Sequence, residues 1–334
     1  MNKKFVALAA AAAMSAPALA SANEIYGRAH LSVDYLDNGD DGAVNVSSNS
    51  SRLGFRGNAE LDYGLTAIYQ IETQIDFDDS GTEFATRDTF GGLRGDFGML
   101  RVGKFDTPLK TLRGRVDFFG DQVGDARNIV RNRAQGQGFD ERFRNSIHYQ
   151  TPSFGGVFVD LQYSTSTEDQ YTSNNDNDAF SASISYREGP LYAAIAYEAY
   201  NNESGVASDE RDMVRAAISY DFGVIRVAGM VQSASDPDDN AYGIGARWAV
   251  TPTTGLRAQY YMLDADDSDF DANLFAIGVD HRLGRAATVY ANYAFVSNDD
   301  ASRVTPFREA RTAGSQGVAG EDTSAFSVGM IYNF

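Results

Sequence analysis

Cysteine is absent from this 334-residue chain, which excludes a disulfide framework and a thiolate metal site. Histidine is nearly as scarce, with His30, His148 and His281 spread over three separate segments. None has the local context of a Ser-His or Asp-His constellation, so no enzymatic activity, metal or cofactor is expected. Basic residues are outnumbered 28 to 46, for a net charge of −18, which sets the chain against the phosphates of nucleic acid. Nowhere is there an apolar run of the roughly 18–20 residues that a membrane helix requires. A linker, a composition break and a second pattern are also missing. A single domain is therefore expected, where length alone would allow about two.

What is present begins with an export signal. Lys3 and Lys4 form a basic start, Phe5 to Met14 an apolar run, and Ala20-Ser21-Ala22 a small-residue cleavage site. The expected boundaries are thus a signal peptide over 1–22 and one domain over 23–334, more acidic still once both lysines are removed.

The rest of the chain alternates. In "IYGRAHLSVDY" (25–35), Gly27, Ala29, Leu31, Val33 and Tyr35 take turns with Arg28, His30, Ser32 and Asp34. Period two marks a strand with one apolar and one polar face. Sixteen such segments begin near residues 25, 50, 64, 86, 98, 141, 156, 178, 190, 211, 223, 241, 255, 273, 286 and 322. Short turns such as "DYG" (62–64), "EGP" (188–190) and "LGR" (283–285) alternate with longer acidic loops such as "DNGDDG" (37–42), "SDPDDN" (235–240) and "DADDSD" (264–269). Seven turns and eight loops join sixteen antiparallel strands.

The polar face decides which side is wet. It carries Arg28, Arg52, Arg56, Glu60, Glu72, Asp160, Arg215, Arg226, Arg247 and Arg257, and charges so crowded need water. A closed membrane barrel with a hydrated lumen and an apolar exterior satisfies both faces and leaves no sheet edge; the alternative is a large soluble barrel. Parity puts Leu31, Leu53, Val159, Ile218 and Phe295 against lipid, and Arg52, Gln70, Asp160 and Arg247 in the lumen. Tyr35, Tyr163, Tyr186, Tyr220 and Tyr332, near segment ends, fit an aromatic girdle. An even strand number brings both termini to the end of the short turns, the periplasmic end.

Five motifs in order, "IYGRAHLSVDY", "SRLGFRG", "GGLRGDFGMLRVGK", "RNSIHYQTPSFGG" and the terminal "SVGMIYNF", resemble those of the general, non-specific diffusion porins of Gram-negative outer membranes. The resemblance spans the whole mature chain. It implies a homotrimer of sixteen-stranded barrels among outer-membrane lipid and lipopolysaccharide, each passing ions and small polar solutes. A substrate-selective porin, for phosphate, another anion or a sugar, is the alternative. It would show an aromatic track, and the inward Tyr192, Tyr261 and Tyr290 lie on distant strands.

One stretch breaks the pattern. "GRVDFFGDQVGDARNIVRNR" (114–133) carries four arginines and three aspartates with neither alternation nor a helical face, within a loop of about 106–140. A sixteen-stranded lumen has room for it, and the resemblance implies that it folds inward and narrows the pore. By the same resemblance Asp117 and Asp121 are the acidic side of the constriction, facing Arg28, Arg52 and Arg87. Arg133 or Arg142 fills a fourth basic position. Arg87 and Arg94 have opposite parity, which leaves the fourth strand open. Cation or anion preference is not fixed by these residues.

Overall fold

The computed structural model describes residues 22–78, 84–131, 138–167, 177–201, 210–235, 238–309, 311 and 315–334. Sixteen antiparallel strands close into a barrel. They are β1 (Ala22–Asp37), β2 in two halves (Gly42–Ser48 and Arg52–Glu60), β3 (Thr66–Gln74), β4 (Thr89–Gly95), β5 (Gly98–Asp106) and β6 (Arg142–Gln150). There follow β7 (Val157–Ser164), β8 (Ala179–Glu188), β9 (Leu191–Tyr200), β10 (Arg211–Asp221) and β11 (Ile225–Ala234). The last five are β12 (Asn240–Ala249), β13 (Thr254–Asp264), β14 (Ala272–Arg282), β15 (Ala287–Asn298) and β16 (Thr323–Asn333). Each strand pairs with the next in sequence, and β1 pairs with β16 from Arg28↔Asn333 to Asp37↔Ser324. No edge is left unpaired, which is the condition for a sheet in lipid.

The closing seam is tight. Gly27 donates to the Phe334 carbonyl at 2.8 Å and accepts from its amide at 3.1 Å. A side chain on Gly27 would collide with the Phe334 ring, so the terminal phenylalanine needs a glycine beneath it. Gly27 is therefore covered by its own chain and unavailable for the approach of a second barrel.

Strand two starts earlier than its sequence pattern implies. "DNGDDG" reads as a long acidic loop, but Asn38 Oδ1 accepts from the amides of Asp40 (3.1 Å) and Asp41 (2.9 Å) and turns the chain at once. Val44 and Val46 of the extra half-strand face outward. The half-strands meet at Ser50, whose φ is 54°, while Asn49 and Ser51 both bond to His30 across the break.

Inside and outside are reversed relative to a soluble protein. Ile184, Ile195, Ile218, Ile244, Ile277 and Val328 are exposed on the outer face, whereas Ser181, Ser183, Gln232, Gln259 and Asn292 are buried within. The apolar core lies in the lumen. Leu109, Leu112, Phe119, Val123, Ile129 and Val130 of the long loop pack on Met213, Met230, Leu263 and Leu274 of the wall. Sequence parity alone presents this wall as polar throughout. The loop finds an apolar stripe on it.

Candidate pore and constriction

The loop enters the lumen through a short helix, α1 (Pro108–Arg113). Thr107 caps it, its hydroxyl accepting from the Lys110 amide at 3.2 Å, and Pro108 occupies the first turn where no amide is needed. Leu109 and Leu112 are buried against β8, β9 and β10. A second turn, α2 (Arg127–Val130), lies within the stretch that carries no helical pattern in sequence; Ile129 and Val130 are its buried residues. At four residues it is set by docking, since isolated helices of that length are not stable.

Polar side chains of the wall fasten the loop. Arg215 on β10, fully buried, donates to Asp140 at 2.6 Å and to the carbonyls of Leu109 (3.3 Å) and Val130 (3.1 Å). Gln259 on β13 accepts from the Phe118 amide at 3.0 Å and donates to the Gly124 carbonyl at 2.8 Å. Arg257 donates to the Phe118 carbonyl at 2.8 Å and lies over the Phe119 ring. Parity marks Arg215 and Arg257 as lumen charges, but nothing in sequence distinguishes an anchor from a pore-lining group.

This fastening brings Asp121 to Arg28 (3.3 Å) and Arg52 (3.6 Å), with Arg127 of the loop at 2.9 Å on its other oxygen. The side chains of Arg28, Arg52 and Asp121 remain 23%, 20% and 21% exposed, so all three reach the water of the channel. Burial pushes the Asp121 carboxyl up, but Arg127, Arg28, Arg52 and Arg87 outweigh it and hold it well below the usual carboxylate range. Asp121 stays ionised.

Asp117 takes a different place. Its side chain is fully buried and bound to Arg113 (2.9 Å), the amides of Phe119 (2.9 Å) and Ala126 (3.2 Å), and Gln259 (3.1 Å). It organises the loop from within and does not face Arg28, Arg52 or Arg87, unlike the placement that the family resemblance implies. The reason is geometric: four donors converge on it where the loop meets the wall. Burial and neighbouring Asp125 push its carboxyl up to about 7, against Arg113.

Arg87 is inward, bound to Glu72 at 2.6 Å, and Arg52 reaches the same carboxylate at 3.7 Å. Parity fails for Arg87 because β4 starts only at Thr89, after a turn in which Ala85 has φ 59°. Arg142 bonds Asp88 (2.7 Å) and Asp106 (2.9 Å), away from Asp121. Arg133 lies outside the described residues. Two members of the cluster, Glu72 and Arg127, fall outside the site residues expected from sequence. Glu72 is legible by inward parity in "AIYQIETQ", whereas Arg127 gives no local signal.

Beyond the constriction, toward the short-turn end, the lumen carries Arg115, Arg187 and Arg226. Arg226 donates to the Arg115 carbonyl at 2.5 Å and Arg187 lies over the Phe158 ring. Among the described residues none of the three has a carboxylate within ion-pair distance.

Comparison with known proteins agrees with this architecture. A model of the family described as Gram-negative porin matches residues 7–301. Outer membrane porin protein 32 of Delftia acidovorans is 31% identical over 354 residues, covering 100% of both chains. The solved structure of an anion-selective porin from Comamonas acidovorans superposes with a TM-score of 0.83 at 28% identity, over 94% of this chain and 100% of its own. OmpT of Vibrio cholerae in its trimer form shares the fold, with a TM-score of 0.69 at 18% identity over 94% of this chain and 99% of its own. The chain belongs to the Gram-negative porin family and is an outer-membrane channel, not an enzyme, through which ions and small hydrophilic solutes diffuse passively.

Proposed function

We propose that the channel prefers anions, and that its selecting element is the contact of Asp121 with Arg28 and Arg52. The observation that carries this reading is the balance of charge among side chains that reach water. At the narrowing Arg28, Arg52 and Arg87 stand against Asp121 and Glu72, three guanidinium groups to two carboxylates, and Arg87 and Glu72 are the more withdrawn at 8% and 7% exposure. Arg115, Arg187 and Arg226 add positive charge, with no carboxylate within ion-pair distance among the described residues. The acidic outer loops act in the opposite sense. Screening limits them to roughly 8–10 Å at physiological salt, so the constriction governs. The anion-selective porin from Comamonas acidovorans supports the same sign.

The test is the reversal potential of a planar bilayer holding the channel in a potassium chloride gradient. Anion sign is expected; cation sign overturns the reading.

The channel works as a homotrimer, in this reading, with residues 1–22 removed on export. The trimer form of OmpT supports the assembly, as do the small outward residues Ala29, Gly57, Ala59 and Ala67 on β1 to β3, which let barrels approach closely. Unheated samples should migrate on detergent gels at three times the heated mass; monomers in mild detergent would count against it.

A further inference from the structure

Between the constriction loop and the last long loop lies a cavity of about 190 Å³. Among the described residues its wall carries Arg127, Arg131, Arg303 and Arg308 against one carboxylate, Glu309. Two of these arginines are already satisfied: Arg127 by Asp121 and Asp125, and Arg131 by Glu309 (2.6 Å) and Glu141. The other two are not. Among the described residues no carboxylate lies within ion-pair distance of Arg303 or Arg308, although the long loops as a group are acidic.

The cavity is built, not a gap between independent loops. Asn128 Oδ1 accepts from the amides of Arg308 and Glu309, both at 3.1 Å, while Asn128 Nδ2 donates to the Asp125 carbonyl at 2.8 Å. The Gly124 amide donates to the Pro306 carbonyl at 2.7 Å, and Thr305 Oγ1 donates to the Ser315 carbonyl at 2.8 Å. These bonds tie both loops together along the wall that Arg303 and Arg308 line.

We propose that this cavity binds a small dianionic oxyanion of the phosphate class, held by Arg303 and Arg308 with Arg131 alongside. Planar guanidinium forks match the several oxygens of such an anion, and a dianion offsets both charges, which chloride does neither geometrically nor electrically. A concave wall also screens the ions less than the open mouth does. The occupant sits next to the constriction, because Arg127 lines the cavity and also holds the Asp121 carboxylate that faces Arg28 and Arg52. An anion here lowers the positive potential at the pore's entrance and so reduces chloride current. The proposal rests on the anion-preferring reading above.

The experiment records single-channel chloride conductance while inorganic phosphate is added to one side of the bilayer. From the long-loop side, phosphate should lower conductance along a saturating curve. In the double variant Arg303→Gln, Arg308→Gln the half-saturating concentration should rise about tenfold or more, while the reversal potential keeps the parent's sign. Arg303 is exposed, so Arg303→Gln alone, with a several-fold rise expected, serves if the double variant does not assemble. A parent that shows no saturation, or variants that saturate at the parent's concentration, overturn the site. A cation-signed reversal potential with a saturating phosphate effect that the variants weaken overturns the selectivity reading and leaves the site standing.

Discussion

Asp121 sits in the left-handed region of backbone space, with φ 61°, a conformation that aspartate and asparagine tolerate better than other side chains. Asp121→Asn therefore removes the charge and leaves the loop's path intact. A unit charge about 5 Å from an ion's route acts with ~0.8 kcal/mol in bulk water, roughly fourfold for each ion sign and in opposite directions for cations and anions. The reversal potential of Asp121→Asn should shift toward anions, while Asp117→Asn, walled off from the channel, should leave it unchanged. Equal shifts would put Asp117 on the pore. Acidity separates the two carboxylates in a second way. The folded value of Asp121 is depressed, so its hold on the loop is present above the unfolded carboxylate value of about 3.9 and is lost only as pH falls through the depressed value. Asp117 is raised to about 7, so ionising it costs the folded loop increasingly as pH climbs from about 4 toward 7. Between pH 8 and 5 the charge of Asp121 is constant, so the parent and Asp117→Asn should show the same reversal potential across this range. A change near 7 that Asp117→Asn abolishes would contradict the placement of Asp117.

At the scale of the element, the constriction loop is a small apolar core inserted into a polar tube. Burial of Leu109, Leu112, Phe119, Val123, Ile129 and Val130 holds it, and Arg215 fixes its register on the wall through Asp140 and two carbonyls. Arg215→Ala leaves Asp140 buried with Arg113 at 3.5 Å as its nearest remaining cation. Breaking a buried pair by removing one partner costs about 3–5 kcal/mol. The loop should detach while the strand ladders persist. Single-channel conductance and the size limit for neutral solutes are expected to rise, and protease should cut between residues 107 and 141 without dissociating the barrel. Unaltered conductance and protease resistance would show that Arg215 is not the anchor. Deleting the centre of the loop should raise conductance in the same direction.

The whole molecule is governed by the two faces of one sheet. Ile195, near the middle of β9, is half-exposed on the outer face, and arginine at a mid-membrane lipid-facing site costs on the order of 2–4 kcal/mol. Ile195→Arg should reduce the yield of folded, heat-modifiable barrel, whereas Gln70→Arg, facing the lumen, should assemble like the parent. Equal yields would refute the assignment of faces. Not every inward position is a wet one. Gln162 shares lumen parity but is fully buried, donating to the Phe105 carbonyl at 3.5 Å beneath the loop's entry.

Alternation by itself determined the number of strands, their antiparallel order and the side each residue faces, because period two is a property of a few consecutive residues and needs no knowledge of what lies opposite. It placed Arg28, Arg52 and Glu72 on the inner wall for that reason. It misplaced the start of β2, where an asparagine turn stands in for a long loop, and it did not apply to Arg87, which precedes its strand. Tertiary structure decided the rest. Asp117 and Asp121 are four residues apart in one acidic stretch and look alike in sequence, yet one is buried in the loop and the other meets Arg28, 93 positions away. Which of them reaches the channel follows from how the loop docks on the apolar stripe of the far wall. That docking depends on the volumes and donors of strands β8 to β15 acting together, and no local pattern encodes it.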